Sequence, residues 1–167
     1  STTGEDNAGA SYTYNKFGDI LTIADDSGTR TFTYDNLGRL KQEQNGTDTI
    51  SYTYDKFGNR ATMTNNGNVT SYTYDLNNRL LQEVSGDEYT FYNYDNKGNL
   101  YSKRTDERST AGNLTRVDTF GALKDNVNST VELYSYDGLN RLNEVRKGGI
   151  TAQYTYNAEG IRTSKTV

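Results

Sequence analysis

The chain alternates. Runs such as Ser51-Tyr52-Thr53-Tyr54 and Ser71-Tyr72-Thr73-Tyr74 put a large side chain at every second position, the period of a β-strand with one apolar face. Each run ends on Tyr, followed by Asp or Asn, two variable residues, Gly or Asn, and a second alternating run such as Arg39-Leu40-Lys41-Gln42-Glu43. The cycle then repeats. Tyr14, Tyr34, Tyr54, Tyr74 and Tyr94 stand 20 residues apart, as do Tyr136 and Tyr156, while 42 residues separate Tyr94 from Tyr136. A degenerate unit, Val117-Asp118-Thr119-Phe120-Gly121-Ala122-Leu123, is read into that wider gap. Eight units then fill the chain with the motif Tyr-Asp/Asn-x-x-Gly-x-Leu.

The fifth place of the motif is the most constrained. It holds Gly18, Gly38, Gly58, Asn78, Gly98, Gly121, Asn140 and Gly160. These are the two residue types that enter the left-handed region at least cost. At the second place, Asp35, Asp55, Asp75, Asp95, Asp118 and Asp137 (Asn in the first and last units) can accept a backbone N–H two residues on, which starts a turn. A type I turn closed by a left-handed residue is the three-residue hairpin loop with a G1 bulge. Pairing Asp35 with Arg39 across the tip sets Tyr34 opposite Leu40. The same step sets Tyr14 opposite Ile20, Tyr74 opposite Leu80, Tyr94 opposite Leu100, Val117 opposite Leu123 and Tyr136 opposite Leu142. In two units Tyr54 meets Arg60 and Tyr156 meets Arg162, where the Arg stem can lie on the Tyr ring.

Between units, Asp26-Ser27-Gly28, Asn45-Gly46, Asn66-Gly67, Ser85-Gly86 and Gly148-Gly149 signal the return turns. The predicted fold is therefore all-β, an antiparallel meander of about sixteen short strands in eight hairpin repeats. A flat ribbon of that size would be about 75 Å wide at ~4.8 Å per strand. Twist makes such a sheet curl, here into a one-layer spiral. Residues 1–10 read as a lead-in segment, 11–167 as a single repeat domain, and the polar stretch Lys103 to Arg116 as an irregular loop.

Composition fits a thin sheet. Leu, Val, Ile and Phe supply 29 of 167 residues, a level typical of disordered chains when net charge is high. Here the formal charge is only −4, and 15 Tyr favour strands. The chain has no His, Cys, Pro or Trp, which removes Ser–His and Cys–His nucleophiles and Cys/His zinc sites. A pI near 4.9 argues against a nucleic-acid partner. No apolar run approaches a membrane span, and no signal peptide is seen.

The recurring Asp residues are already used by turn geometry, so no catalytic residue, cofactor site or metal site is expected. Asp95-Asn96-Lys97-Gly98-Asn99 lacks the ligand pattern of an EF-hand. Two Tyr per unit on one face would suit sugar stacking. This makes Tyr12, Tyr52, Tyr72, Tyr92, Tyr134 and Tyr154 candidate carbohydrate contacts, although the same rings also serve the sheet's own packing. Open sheet edges would favour self-association.

Units such as Tyr34-Asp35-Asn36-Leu37-Gly38-Arg39-Leu40 and Tyr136-Asp137-Gly138-Leu139-Asn140-Arg141-Leu142 resemble the YD repeat of RHS (rearrangement hotspot) proteins over nearly the whole chain. That family includes bacterial polymorphic toxins, C components of insecticidal toxin complexes, wall-associated proteins and the animal teneurins. The resemblance implies a β-ribbon that spirals into a hollow shell, which in toxins encloses a cleaved C-terminal effector. It also implies a secreted or cell-surface protein whose partners are the rest of the parent chain and the enclosed effector, with a glycan as the alternative partner. The Asp-Pro-type self-cleavage segment of such shells is missing, because the chain has no Pro. Neither toxicity nor autoproteolysis is transferred to these residues.

Overall fold

The computed structural model describes residues 2–5, 9–107 and 130–167. It is all-β, with fifteen strands and no helix among the described residues. Contacts divide the chain into two compact units, one up to Tyr72 and one from Thr73 onward. The first contains β1 (Thr2–Glu5), β2 (Ser11–Tyr14), β3 (Ile20–Asp25), β4 (Gly28–Tyr34), β5 (Leu40–Asn45), β6 (Asp48–Tyr54), β7 (Arg60–Asn65) and most of β8 (Asn68–Tyr74). The second contains β9 (Leu80–Ser85), β10 (Glu88–Tyr94), β11 (Leu100–Glu107), β12 (Thr130–Tyr136), β13 (Leu142–Lys147), β14 (Ile150–Tyr156) and β15 (Arg162–Thr166). Within each unit every strand pairs antiparallel with its neighbour in the chain.

The predicted register holds at six tips. Tyr14 faces Ile20, Tyr34 Leu40, Tyr54 Arg60, Tyr94 Leu100, Tyr136 Leu142 and Tyr156 Arg162. One step further along, the ladder slips: Thr33 faces Gln42, so Lys41 is an extra residue. The same bulge recurs in the equivalent hairpins. A bulge moves the following residues to the opposite face and strengthens local twist. Strict alternation from Leu40 would have put Gln42 beside the tyrosines; instead Ile23 lies opposite Tyr12, Met63 opposite Tyr52 and Val145 opposite Tyr134. The other face is lined with hydroxyls and amides that bond across strands: Thr13 to Thr22 at 2.7 Å, Thr53 to Thr62 at 2.6 Å, Asn93 to Ser102 at 3.0 Å and Thr155 to Ser164 at 2.7 Å.

One expectation is corrected. Residues 103–107, read as loop, belong to β11, which pairs with β10 on one side and β12 on the other. These residues are polar and held by ladders and by the Arg104–Asp106 ion pair at 2.8 Å, so hydropathy carried no sign of them. The sixth repeat, read at Val117–Leu123, lies outside the described residues. Thr105 pairs directly with Thr130, in the register place that Asn45 and Asp48 occupy elsewhere. The fifth and seventh repeats are therefore neighbours in the sheet. Their tips bond each other, Asn99 Nδ2 to Asn140 Oδ1 at 2.5 Å and Asn140 Nδ2 to Asn99 Oδ1 at 3.0 Å.

Residues 108–129, between β11 and β12, lie outside the described residues, Asp118, Gly121 and Leu123 among them. The lead-in segment also contributes a strand, since Thr2–Glu5 pairs with β2.

No closed core forms among the described residues. Ala10, 8% exposed, is the one apolar residue among those described that is buried. Cohesion must come from contacts between successive repeats.

Candidate functional site

Each hairpin tip is organised by one side chain. In the second repeat the Asp35 carboxylate Oδ1 accepts the N–H of Leu37 at 2.9 Å and of Arg39 at 3.0 Å. Its Oδ2 accepts Arg39 Nε at 2.7 Å. The backbone closes beneath it, with Gly38 N–H donating to the Asp35 carbonyl and Asp35 N–H to the Arg39 carbonyl. Gly38 sits at φ 75° and Asn78, in the same place two repeats later, at φ 59°. Both lie in the left-handed region the turn demands. Every described fifth-place residue has positive φ. Asp55, Asp75, Asp95 and Asp137 repeat the carboxylate pattern, with Arg79 and Arg141 standing as Arg39 does, and Asn59 and Asn99 donating from an amide instead.

The arginine has a second contact. Arg39 Cζ lies 4.3 Å from the ring centre of Tyr54, one repeat later. Arg79 covers Tyr94 at 5.0 Å and Arg141 covers Tyr156 at 4.7 Å. That same tyrosine reaches back: Tyr54 Oη donates to the Leu40 carbonyl at 2.7 Å. Equivalent bonds join Tyr34 to Ile20, Tyr94 to Leu80, Tyr136 to Leu100 and Tyr156 to Leu142. The β5–β6 ladder ends at Gln42 and Ser51, so the phenol supplies a donor where the two strands have parted. Asp, Arg and the next Tyr thus form a relay that ties one repeat to the following one. The sequence shows Arg39, Arg79 and Arg141 at a fixed 15 residues before a Tyr, a signal that reading each unit in isolation misses.

Each tyrosine proposed as a carbohydrate contact is approached by another side chain of the same chain. Arg60 lies 4.4 Å over Tyr72 and 5.9 Å from Tyr52. Arg162 turns to Tyr154 at 5.6 Å. Lys103 approaches Tyr92, whose hydroxyl donates to Glu83. Tyr134 donates to Glu132 at 2.7 Å. Burial first, and that bond second, push its hydroxyl up to about 12. Tyr12 stacks on Tyr14, centroids 6.4 Å apart.

The tips set a pH limit on stability. The side chain and backbone of Arg39 hold Asp35 below the ordinary carboxylate range, and those of Asn99 do the same for Asp95. Asp75 and Asp137 are lowered first by the backbone N–H of their own Arg. At Asp55 desolvation pulls upward, but the Asn59 and Phe57 donors outweigh it. Unfolded Asp titrates near 3.9. A folded carboxyl with a lower pKa therefore contributes its full stability above that pH and loses it as pH falls through the folded value. The urea midpoint is expected to be flat between about pH 7 and 5 and to fall steadily below about pH 4. Stability that rises on acidification would contradict this.

The carboxylates face their own turns and arginines, and no group of three or more acidic side chains that could hold a metal occurs among the described residues. Among the described residues no helix is long and apolar enough to cross a membrane. The tips also carry exposed apolar side chains, Phe17 (78%), Leu37 (77%) and Phe57 (64%) in successive repeats.

A sequence model of the family described as RHS Repeat matches residues 14–50 and 54–90. Solved structures of toxin complexes share the fold. The crystal structure of TcdB2-TccC3-Cdc42 aligns with TM-score 0.55 and 19% identity over 92% of this chain, and that of TcdB2-TccC3 with 0.56 and 19% over 90%. A Photorhabdus luminescens Tc holotoxin pore aligns with 0.50 and 18% over 90%. The chain spans 10% of the length of each of these. No curated protein sequence matches.

Proposed function

We propose that this chain, whose repeats match the RHS Repeat model over residues 14–50 and 54–90, is a wall segment of a larger secreted or cell-surface protein of the RHS type. In this reading it forms part of a β-shell around a C-terminal effector and performs no chemistry itself. The observation that carries the reading is the assignment of the repeat's polar groups. In the second and third repeats Asp35, Arg39 and Tyr54 are each consumed by a contact that closes a turn or joins two repeats. Residues placed this way build a wall.

A row of exposed apolar tips adds support. A free-standing soluble surface seldom keeps such a row, whereas a wall built in tiers would cover Phe17, Leu37 and Phe57 with further repeats of the same protein. Electron microscopy of the complete protein that carries these repeats tests the reading. This stretch is expected in the wall of a closed shell with its tips covered. A stretch that projects from the particle as a separate module with bare tips would refute it.

A further inference from the structure

At three junctions the chain lays an arginine of one repeat over the tyrosine of the next: Arg39 on Tyr54, Arg79 on Tyr94 and Arg141 on Tyr156. The first junction breaks this rule. Asp19 stands 15 residues before Tyr34, in the place those arginines occupy. The ring itself is set as the others are. Tyr34 Oη donates to the Ile20 carbonyl at 2.7 Å, just as Tyr54 donates to Leu40.

A cavity of about 430 Å³ opens at this junction, with Tyr34, Phe32, Phe17, Asn15, Asp19 and Asp35 in its lining. The two carboxylates differ. Asp35 is taken by Arg39, with Nη2 at 2.6 Å. Asp19 Oδ2 accepts an amide hydrogen bond from Asn15 at 2.8 Å, and no cation among the described residues forms an ion pair with it. Its charge reaches the ring: the Tyr34 hydroxyl is pushed up first by burial and then by Asp19. At the other junctions without arginine the place is filled by neutral Asn59 or Asn99, each bonded to its own tip carboxylate. Here the acid stands in the arginine's own place in the repeat, whereas at the Tyr136 junction the charge that raises the hydroxyl after burial comes from the tip carboxylate Asp95.

We propose that this cavity binds an arginine side chain from a partner polypeptide, its guanidinium stacked on Tyr34 and paired with Asp19. The template is internal, since the chain fills the same place with its own arginine three times. A planar guanidinium stacks on an aromatic face and can bond a carboxylate through two N–H groups, which a compact ammonium does not match. The site does not depend on what the wall encloses.

The test is an NMR titration of the 167-residue chain with N-acetyl-arginine amide, and with the uncharged citrulline counterpart as control. Saturable shifts are expected at Asp19, Tyr34 and Phe17, with little change at Tyr54, Tyr94 and Tyr156. Affinity for a lone side chain should be on the order of millimolar, and at least about fivefold weaker for citrulline. Asp19→Asn should weaken the arginine probe by a similar factor, and Asp19→Arg should abolish its effect by filling the place from within. Equal response to citrulline, a response that survives in folded Asp19→Arg, or no response at about tenfold the millimolar range would each overturn the proposal. Should Asp19→Arg fail to fold, Asp19→Asn and the citrulline control decide alone. Sedimentation separates the sources. Self-association that either Asp19 variant abolishes would assign the cavity to an arginine of a second copy and refute a distinct partner.

Discussion

Tyr54→Ala is expected to lower the free energy of unfolding by about 3 kcal/mol, and Tyr54→Phe by about 1 kcal/mol. The two numbers separate what the side chain does. Phenylalanine keeps the ring beneath Arg39 and loses only the hydrogen bond to the Leu40 carbonyl, and a typical intramolecular hydrogen bond is worth about 1 kcal/mol net. Alanine also removes the cation–π contact, worth about 0.5–1 kcal/mol near the surface, together with the apolar area of the ring. In a protein with a closed core such a half-buried residue would rank low. Here one apolar residue among those described is buried, so cohesion rests on contacts between repeats, as in other arrays where each unit touches only its neighbours. Urea unfolding of the two variants measures both values. Equal stability of Tyr54→Phe and the parent chain would remove the hydroxyl from the account.

Much of this was legible in the sequence because the constraints are local. A left-handed residue at the tip, an Asp that accepts nearby N–H groups, and a Tyr opposite the seventh-place residue all act within one hairpin. Six of the predicted pairings, from Tyr14–Ile20 to Tyr156–Arg162, are found. What stayed hidden acts between hairpins or breaks the period. The bulge at Lys41 changes the face of every later residue in the strand without changing a residue type. The arginine at Arg39 reads as a tip residue, because its aromatic partner belongs to the next repeat.

The widened interval between Tyr94 and Tyr136 allowed a sixth repeat by spacing alone, and only the direct pairing of Thr105 with Thr130 shows that the fifth and seventh repeats are neighbours in the sheet. The candidate carbohydrate tyrosines were found as rows, but composition could not reveal that Arg60, Lys103 and Arg162 approach those rings.

The whole scaffold depends on the tip, and the second large effect is expected there. Gly38 lies at φ 75°, and a side chain built on it meets nothing within 4 Å. Any penalty at this position therefore comes from the backbone and not from crowding. A β-branched residue in the left-handed region is strained by about 2 kcal/mol. Asparagine already holds the equivalent place at Asn78 (φ 59°) and Asn140 (φ 67°), so it should be accepted at little cost. The deciding measurement is the urea midpoint of Gly38→Val beside Gly38→Asn. A loss of about 2 kcal/mol for valine with asparagine within about 0.5 kcal/mol of the parent is the result the hairpin account requires. Valine tolerated as well as asparagine would mean that the chain does not turn through a left-handed residue at these tips, and the repeat architecture built on them would fail.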